Sequence, residues 1–134
     1  MIKIYTDGGS RGNPGKSAYA FLITEDEKIV YKTAKFIGIK TNNEAEYNAI
    51  ISALEWSENN HKSKEIKLFS DSELVIKQLN GEYKIKKSHL KDLNEKINNL
   101  IEKNNFKIKF INVRRENEFI IIADLLLNEE LDKV

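Results

Sequence analysis

The chain has 134 residues, 40% hydrophobic and 32% charged, with a formal net charge of +1. This size and composition predict a single compact domain, residues 1–134, with one core. The sequence contains no cysteine, which excludes disulfide partners and zinc–thiolate sites. Its two histidines, His61 and His89, lack paired ligand spacing, so any bound metal is expected on oxygen ligands, which favours Mg²⁺ or Mn²⁺.

Short stretches that alternate apolar and polar residues predict the strands. Residues 3–6 precede a glycine-rich turn, residues 17–24 are apolar and aromatic, and residues 29–37 alternate. Because the links between these three are short, they predict an antiparallel meander. Residues 66–69 and 106–113 predict a fourth and a fifth strand.

Four stretches carry apolar residues at helical spacing. They cover residues 41 to about 59, 72 to about 79, 88–104 and 118–132. The last is apolar nearly all round and predicts a helix packed on the sheet, with an extended segment at 119–122 as the alternative. The predicted order is three strands, helix, strand, two helices, strand, helix.

Basic residues are clustered in two stretches although the net charge is small. One contains Lys84, Lys86, Lys87 and Lys91, and the other contains Lys107, Lys109, Arg114 and Arg115. Alone, such clusters are more typical of a solvated face than of a phosphate-binding surface. The amino terminus has no basic segment followed by an apolar one, and no stretch approaches membrane-spanning length. We therefore expect a soluble, cytoplasmic protein without membrane contact. We also expect a monomer, although no sequence pattern indicates the oligomeric state.

Two acidic residues follow predicted strands directly. Asp7 comes after the first strand and Asp71 after the fourth. A strand reached by a helical crossover can lie parallel to the first, and ligands gather beyond the carboxyl ends of such strands. Carboxylates gathered there repel one another unless divalent cations lie between them, and paired cations are a device for cleaving phosphodiesters. The sequence therefore predicts a metal-dependent nuclease.

Each carboxylate also has a purely structural interpretation. Asp7 can start a turn before Gly8, and Asp71 can cap a helix. Capping boxes compete for the helix starts: Ser70 with Glu73, Thr41 with Glu44, and Asn43 with Glu46. Separate capping roles do not predict that Asp7, Glu46 and Asp71 all fall where parallel strands bring them together.

Several motifs together resemble a known family. They lie at residues 6–15 (TDGGSRGNPG), 41–47 (TNNEAEY) with the helix that follows, and 69–75 (FSDSELV) continued by 78–84 (QLNGEYK). The chain is similar, over nearly its whole length, to the type 1 ribonucleases H, most closely to their shorter archaeal and bacterial branch. The resemblance implies an α/β, ribonuclease H-like fold. It has a five-stranded mixed sheet, three antiparallel strands then two parallel, with helices on both faces.

The resemblance also implies four catalytic, metal-binding carboxylates. Asp7, Glu46 and Asp71 match the first three, and Asp124 looks like the fourth. The motif before Asp124 is irregular, because the stretch at 118–122 is longer than in similar sequences. An aspartate within an apolar run is costly to bury without a partner, which favours a nearby cation, and exposure on a helix edge is the alternative. If Asp124 points away, the substitutes are Glu116 and Glu118.

The family places an imidazole or, in the shorter branch, an arginine near the scissile phosphate. Arg114 is the first candidate here and Arg115 the second. A guanidinium can grip a phosphate oxygen through two donors, but it is a poor proton acceptor because it stays charged. Proton transfer would then fall to metal-bound water.

The implied activity is endonucleolytic hydrolysis of the RNA strand of an RNA·DNA hybrid, leaving a 3′-hydroxyl and a 5′-phosphate. Two Mg²⁺ or Mn²⁺ ions ~4 Å apart are implied, one lowering the pKa of the attacking water and one stabilising the departing oxygen. Asp7 would bridge the ions, Glu46 and Asp71 would complete their ligands, and Asp124 would hold the other cation.

By the same resemblance, a set of small and basic residues is expected to contact the hybrid: Gly8, Asn13, Asn42, Asn43, Ser72, Lys84 and Lys86. The asparagines match positions in the minor groove, where 2′-hydroxyls distinguish RNA from DNA. Glu73 stands where longer relatives often have glutamine. The chain also lacks their basic insertion between the second and third helices, so we expect weak, salt-dependent affinity.

Two other functions stay open at this point. A nuclease of the same fold that acts on double-stranded RNA or other duplexes would share the metal site. A non-catalytic hybrid-binding module is the second, because the motif before Asp124 is irregular.

Overall fold

The computed structural model describes residues 1–60 and 64–134, so His61 lies outside the described residues. The described strands form one five-stranded sheet in the order β3-β2-β1-β4-β5. The pairs β1/β2 and β2/β3 are antiparallel, whereas β1/β4 and β4/β5 are parallel. The predicted mixed sheet and order of elements are confirmed. The strands are β1 Ile2–Arg11, β2 Gly15–Glu25, β3 Lys28–Lys40, β4 Glu65–Ser70 and β5 Lys107–Asn112; the helices are α1 Asn42–Asn60, α2 Glu73–Leu79, α3 Ser88–Asn104 and α4 Glu118–Asp132.

Alternation along the central strands gives the sheet two apolar faces. Ile4 and Leu68 belong to the larger core, which α1, α2 and α3 cover, with Leu54 of α1 fully buried there. Tyr5 points to the other face and packs with Phe119 of α4. Helices therefore lie on both faces of the sheet, as predicted.

Strand β1 is longer than the sequence predicted. We expected a turn after Thr6, but the strand continues to Arg11 and the turn falls at residues 12–14. The glycines that suggested a turn are accommodated in the strand because β2 pairs with β1 as far as Arg11. Pairing with β4, in contrast, ends at Tyr5, opposite Phe69. Beyond that pair, no described strand is hydrogen-bonded to this side of β1.

Helix α1 begins with a reciprocal capping box. The Thr41 backbone N–H donates to Glu44 Oε1 at 3.0 Å, and the Glu44 N–H donates to Thr41 Oγ1 at 3.2 Å. This confirms one of the predicted boxes and leaves Glu46 free of capping. The box predicted for Ser70 and Glu73 is wrong, because Ser72 caps α2 by accepting from the Val75 N–H at 3.4 Å.

Helix α4 begins at Glu118. The Asn117 side chain accepts from the backbone N–H groups of Phe119 at 3.0 Å and Ile120 at 3.2 Å, which satisfies two of the free donors at the helix start. Residues 119–122 are therefore helical, and the extended alternative does not hold. None of the described helices combines the length and apolarity that crossing a bilayer requires.

Candidate active site

An open cavity of about 340 Å³ lies where β1 separates from β4, at the carboxyl ends of both strands. The first turn of α1 and the helix α4 complete its walls. Its lining residues are Asp7, Gly8, Gly9, Asn42, Asn43, Glu46, Asp71, Ser72, Arg115, Asp124 and Leu127.

Three carboxylates meet in this cavity. One oxygen from each of Asp7, Glu46 and Asp71 can be chosen so that all lie within 4.8 Å of one another. Asp7 is only 7% exposed and Glu46 only 6%, while Asp71 is half-buried. Asp7 lies inside β1 rather than after it, two residues past the last pair with β4, so its side chain reaches the gap between the strands.

Gly8 brings α1 against β1 and so positions Glu46. A Cβ atom at Gly8 would lie 2.3 Å from the Ala45 carbonyl carbon and 2.4 Å from the Glu46 nitrogen, too close for any side chain. The Gly8 N–H donates to Glu46 Oε1, and the hydroxyl of Ser70 donates to Glu46 Oε2 at 3.1 Å. Both oxygens of this carboxylate are therefore oriented by fixed donors.

Ser70 was not among the sequence-predicted site residues. It is fully buried, its carbonyl accepts from the Val113 N–H at 3.0 Å, and its Oγ accepts from the Ser72 N–H at 3.0 Å. A hydroxyl that follows a buried strand and precedes Asp71 was the available signal, but the capping interpretation obscured it.

The carboxylates raise one another's pKa. Burial is the main cause for Asp7, followed by the charges of Glu46, Asp71 and Asp124. Burial and then the charge of Asp71 raise the pKa of Glu46, against the hydrogen bonds from Gly8 and Ser70. Because ionising all of these groups together is unfavourable in a buried site, a bound cation would stabilise the ionised cluster.

Asp124 lies at the rim of the same cavity, on α4. It is exposed, so of the two interpretations that the sequence left open, exposure on a helix edge holds and burial within the apolar run does not. Its charge nevertheless raises the pKa of Asp7 and of Asp71. The proposed substitutes Glu116 and Glu118 are exposed and do not line the cavity.

Comparison with known proteins identifies the fold family. The model of the RNase H family matches residues 1–129. The chain belongs to the RNase H family. Ribonuclease HI of Halobacterium salinarum is 46% identical over 81 residues, which are 60% of this chain and 40% of that protein. Ribonuclease H of Clostridium botulinum is 32% identical over 151 residues, covering 98% of this chain and 96% of that one.

A solved structure extends the similarity to the whole fold. The crystal structure of LC11-RNase H1 in complex with RNA/DNA hybrid superposes with a TM-score of 0.93 at 36% identity. The superposition covers 99% of this chain and 98% of that chain. The predicted resemblance to RNase H is therefore confirmed.

The two candidate arginines of this RNase H chain differ in position. Arg115 lines the cavity, and its charge lowers the pKa of Asp71 against the effect of burial. Arg114, the first candidate from the sequence, is exposed and does not line the cavity. The turn before α4 determines which side chain faces inward, and its phase could not be derived from the sequence.

The asparagines form a connected group at the cavity mouth. Asn42 Oδ1 accepts from the Ser10 N–H at 2.8 Å, and Asn13 Oδ1 accepts from the Asn42 N–H at 3.0 Å. Asn42 and Asn43 line the cavity. These bonds hold the turn after β1 against the start of α1.

Three of the four lysines in the first basic cluster line a groove beside the site. This groove has a volume of about 220 Å³ and shares Asn43 with the carboxylate cavity. Its lining residues are Asn43, Leu74, Gln78, Lys84, Lys86, Lys87 and Leu90, so Lys91 is not among them. The second cluster is divided, because Lys107 and Lys109 line a cavity at the amino end of β5 while Arg115 lines the active-site cavity.

Proposed function

We propose that this chain is a metal-dependent endonuclease that hydrolyses the RNA strand of RNA·DNA hybrids and leaves a 3′-hydroxyl and a 5′-phosphate. The observation that carries this proposal is the convergence of Asp7, Glu46 and Asp71 within 4.8 Å at the edge of an RNase H sheet. LC11-RNase H1, which superposes on 99% of this chain, was solved with an RNA/DNA hybrid.

The donor set fits hard divalent cations. The clustered ligands are all carboxylates, which are the ligands that Mg²⁺ and Mn²⁺ prefer. We propose two ions, held by Asp7, Glu46 and Asp71 on one side and by Asp7 with Asp124 on the other. Such ions, when bound, would supply an activated water and stabilise the charge on the departing oxygen.

The protein's own residues would orient the reacting groups. Ser70 and the Gly8 N–H hold both oxygens of Glu46, which fixes that ligand before any ion arrives. Arg115 faces the same cavity, and its guanidinium suits the anionic phosphate through two parallel donors. Arg115 therefore replaces Arg114 as the proposed phosphate contact.

The proposed substrate contacts extend from the carboxylate cavity to the neighbouring groove, which shares Asn43 with it. Gly8, Asn42, Asn43 and Ser72 line the cavity, and we propose that they meet the minor groove of the hybrid. The oxygens of Asn13 and Asn42 accept backbone N–H groups, which leaves their amide nitrogens as the donors for a nucleic acid. Lys84 and Lys86 line the neighbouring groove and would contact phosphates of the other strand.

Digestion of matched duplexes tests the proposal. Labelled RNA·DNA hybrid, double-stranded RNA and double-stranded DNA of one sequence are incubated with Mg²⁺, with Mn²⁺ or with EDTA. We expect cleavage of the RNA strand of the hybrid, only with metal, and products that carry a 5′-phosphate. Preferred cleavage of double-stranded RNA would select the related nuclease instead. Hybrid binding without turnover in either metal would contradict an enzymatic function.

All four carboxylates come from one chain, so we propose that the monomer is sufficient for activity. Gel filtration with activity measured across the peak tests this, since activity confined to a larger species would contradict it. The cytoplasmic location and the single domain over residues 1–134 stay predictions.

A further inference from the structure

Three lysines lie side by side across the parallel part of the sheet. Lys3 of β1 pairs in register with Lys67 of β4, and Lys67 pairs with Lys109 of β5. Neighbouring strands are about 4.8 Å apart, and like charges directly opposite each other are destabilising. The row therefore creates local positive charge that the fold itself does not require.

The row borders a cleft of about 330 Å³ at the amino ends of β4 and β5. Its lining residues are Met1, Glu65, Ile66, Lys67, Lys107, Ile108 and Lys109. Because side chains alternate along a strand, Lys67 and Lys109 project from the same face as Phe69, the face on which α4 packs. Helix α4 packs on that face at Tyr5, whose ring centroid lies 4.8 Å from that of Phe119. The lysine row lies two residues earlier along the strands, and no residue of α4 lines the cleft beside it.

Within the part of the chain that the structure describes, the cleft lysines form no ion pair. Lys3 has one, because its Nζ lies 2.8 Å from Glu27 Oε1. Among residues 1–60 and 64–134, none of Lys67, Lys107 and Lys109 has a carboxylate oxygen within 4.0 Å. Three cationic groups thus face a recess with one lining carboxylate, Glu65, which favours an anionic occupant.

We propose that this cleft binds phosphates of single-stranded nucleic acid, namely an unpaired tail of the substrate. The choice of nucleic acid rests on the proposed function. Strand β5 runs from the cleft towards the turn that carries Arg115 at the catalytic cavity. The six residue steps from Lys109 to Arg115 span at most about 20 Å, the length of about six nucleotides at duplex spacing.

The dimensions of the cleft favour a single strand over a duplex. A recess of about 330 Å³ is at the small end of ligand pockets and matches a nucleotide-sized group. Its walls include Met1 and the aliphatic stems of the lysines, which offer apolar surface to a base while the ammonium groups meet phosphate.

Two triple variants with equal loss of charge test the proposal. The cleft variant carries Lys67→Gln, Lys107→Gln and Lys109→Gln. The control carries Lys28→Gln, Lys32→Gln and Lys35→Gln, all exposed on β3 at the opposite edge of the sheet. Fluorescence anisotropy in EDTA measures binding of a 12-nucleotide oligothymidylate, of a polyglutamate peptide, and of a hybrid with and without a 12-nucleotide DNA tail. Thermal melting checks that both variants are folded.

We expect the parent and the control to bind the oligothymidylate, and to bind the tailed hybrid more tightly than the blunt one. The cleft variant should bind the oligothymidylate roughly tenfold more weakly and lose the advantage of the tail, with a salt slope lower by about 2. Equal weakening in the control, or a tail effect that the cleft variant keeps, would overturn the proposal. So would loss of polyglutamate binding alone, which would assign the cleft to an acidic protein.

The oligothymidylate arm is independent of catalysis. If the chain cleaves no hybrid but the cleft variant alone loses the oligothymidylate, the proposed function fails and the cleft stands. If hybrids are cleaved and the tail contributes nothing, the cleft proposal fails and the proposed function stands.

Discussion

The two ends of the parallel strands carry opposite charges. At the carboxyl ends, Asp7 and Asp71 face each other past the Tyr5–Phe69 pair, and α1 adds Glu46. At the amino ends, Lys67 and Lys109 lie side by side, and no lining residue of their cleft belongs to a described helix. Both groups put like charges together, but in the carboxylate group Asp7 and Glu46 are buried, and hydrogen bonds hold Glu46. The pKa of each of the three carboxylates is raised. The carboxylate site also contains groups that orient a ligand, namely the Gly8 N–H and the Ser70 hydroxyl, which donate to Glu46. We call these two groups the orienting shell, and it distinguishes the site from a merely charged surface.

The largest expected effect is at the carboxyl end. Asp7→Asn keeps the shape but removes the carboxylate that the charges of Glu46, Asp71 and Asp124 all act on, so we expect hybrid cleavage in Mg²⁺ to fall by about 10³-fold or more. Single-turnover cleavage measures it. Lys32→Gln on β3 is the control and should cleave like the parent. Retention of more than a tenth of the parent's rate in Asp7→Asn would remove the carboxylates from the mechanism.

A substitution of Asp124 tests whether this exposed residue at the rim of the cavity belongs to the metal site. Asp124→Asn should lower kcat by about 10²-fold in Mg²⁺, because a ligand on one side of the cluster is lost. Glu129→Gln, an exposed change on the same helix, is the matched control. If both variants behave alike, the fourth ligand lies elsewhere.

The orienting shell can be broken without touching a ligand. Ser70→Ala removes the donor to Glu46 Oε2, and we expect the Mg²⁺ concentration for half-maximal cleavage to rise about tenfold. Ser70→Thr keeps the hydroxyl and should restore part of the affinity. A Ser70→Ala enzyme with raised KM for the hybrid but unchanged metal dependence would indicate only a structural role.

The smallest effect is on stability without metal. Because the pKa of Asp7 is raised above its ordinary value of 3.8, the folded protein binds more protons than the unfolded chain above that pH. The stabilising contribution is present at low pH and lost as pH rises. In EDTA, Tm should therefore fall by about 5 °C between about pH 5 and pH 8, more steeply than in Asp7→Asn. An equal fall of Tm with pH in the parent and in Asp7→Asn would contradict the repulsion among the carboxylates.

The sequence predicted the elements better than the ends of the elements. Periodicity located the described helices and strands, with the type of the last one left open, because burial on one or two faces imposes it. It placed Asp7 after β1 rather than inside it, because Gly8 resembles a turn residue when its contact with Ala45 is unknown. Motif resemblance supplied Asp124 across the irregular stretch, where periodicity alone left helix and strand open.

What the sequence could not supply depends on register and phase. The lysine row is invisible in the chain, because Lys3, Lys67 and Lys109 become neighbours only through strand pairing. Arg115 and Arg114 are equivalent in composition, and only the turn before α4 separates them. The role of the Ser70 hydroxyl could be recognised only once the fold placed the Glu46 carboxylate beside it.

Thermal unfolding with and without Mn²⁺ at pH 8 tests most directly whether the clustered carboxylates bind cations. The ion should raise the Tm of the parent by about 5 °C or more, because it binds the folded state and offsets the repulsion, and should raise that of Asp7→Asn much less. An equal rise in both proteins, or none in the parent, would contradict a metal site built on Asp7, Glu46 and Asp71.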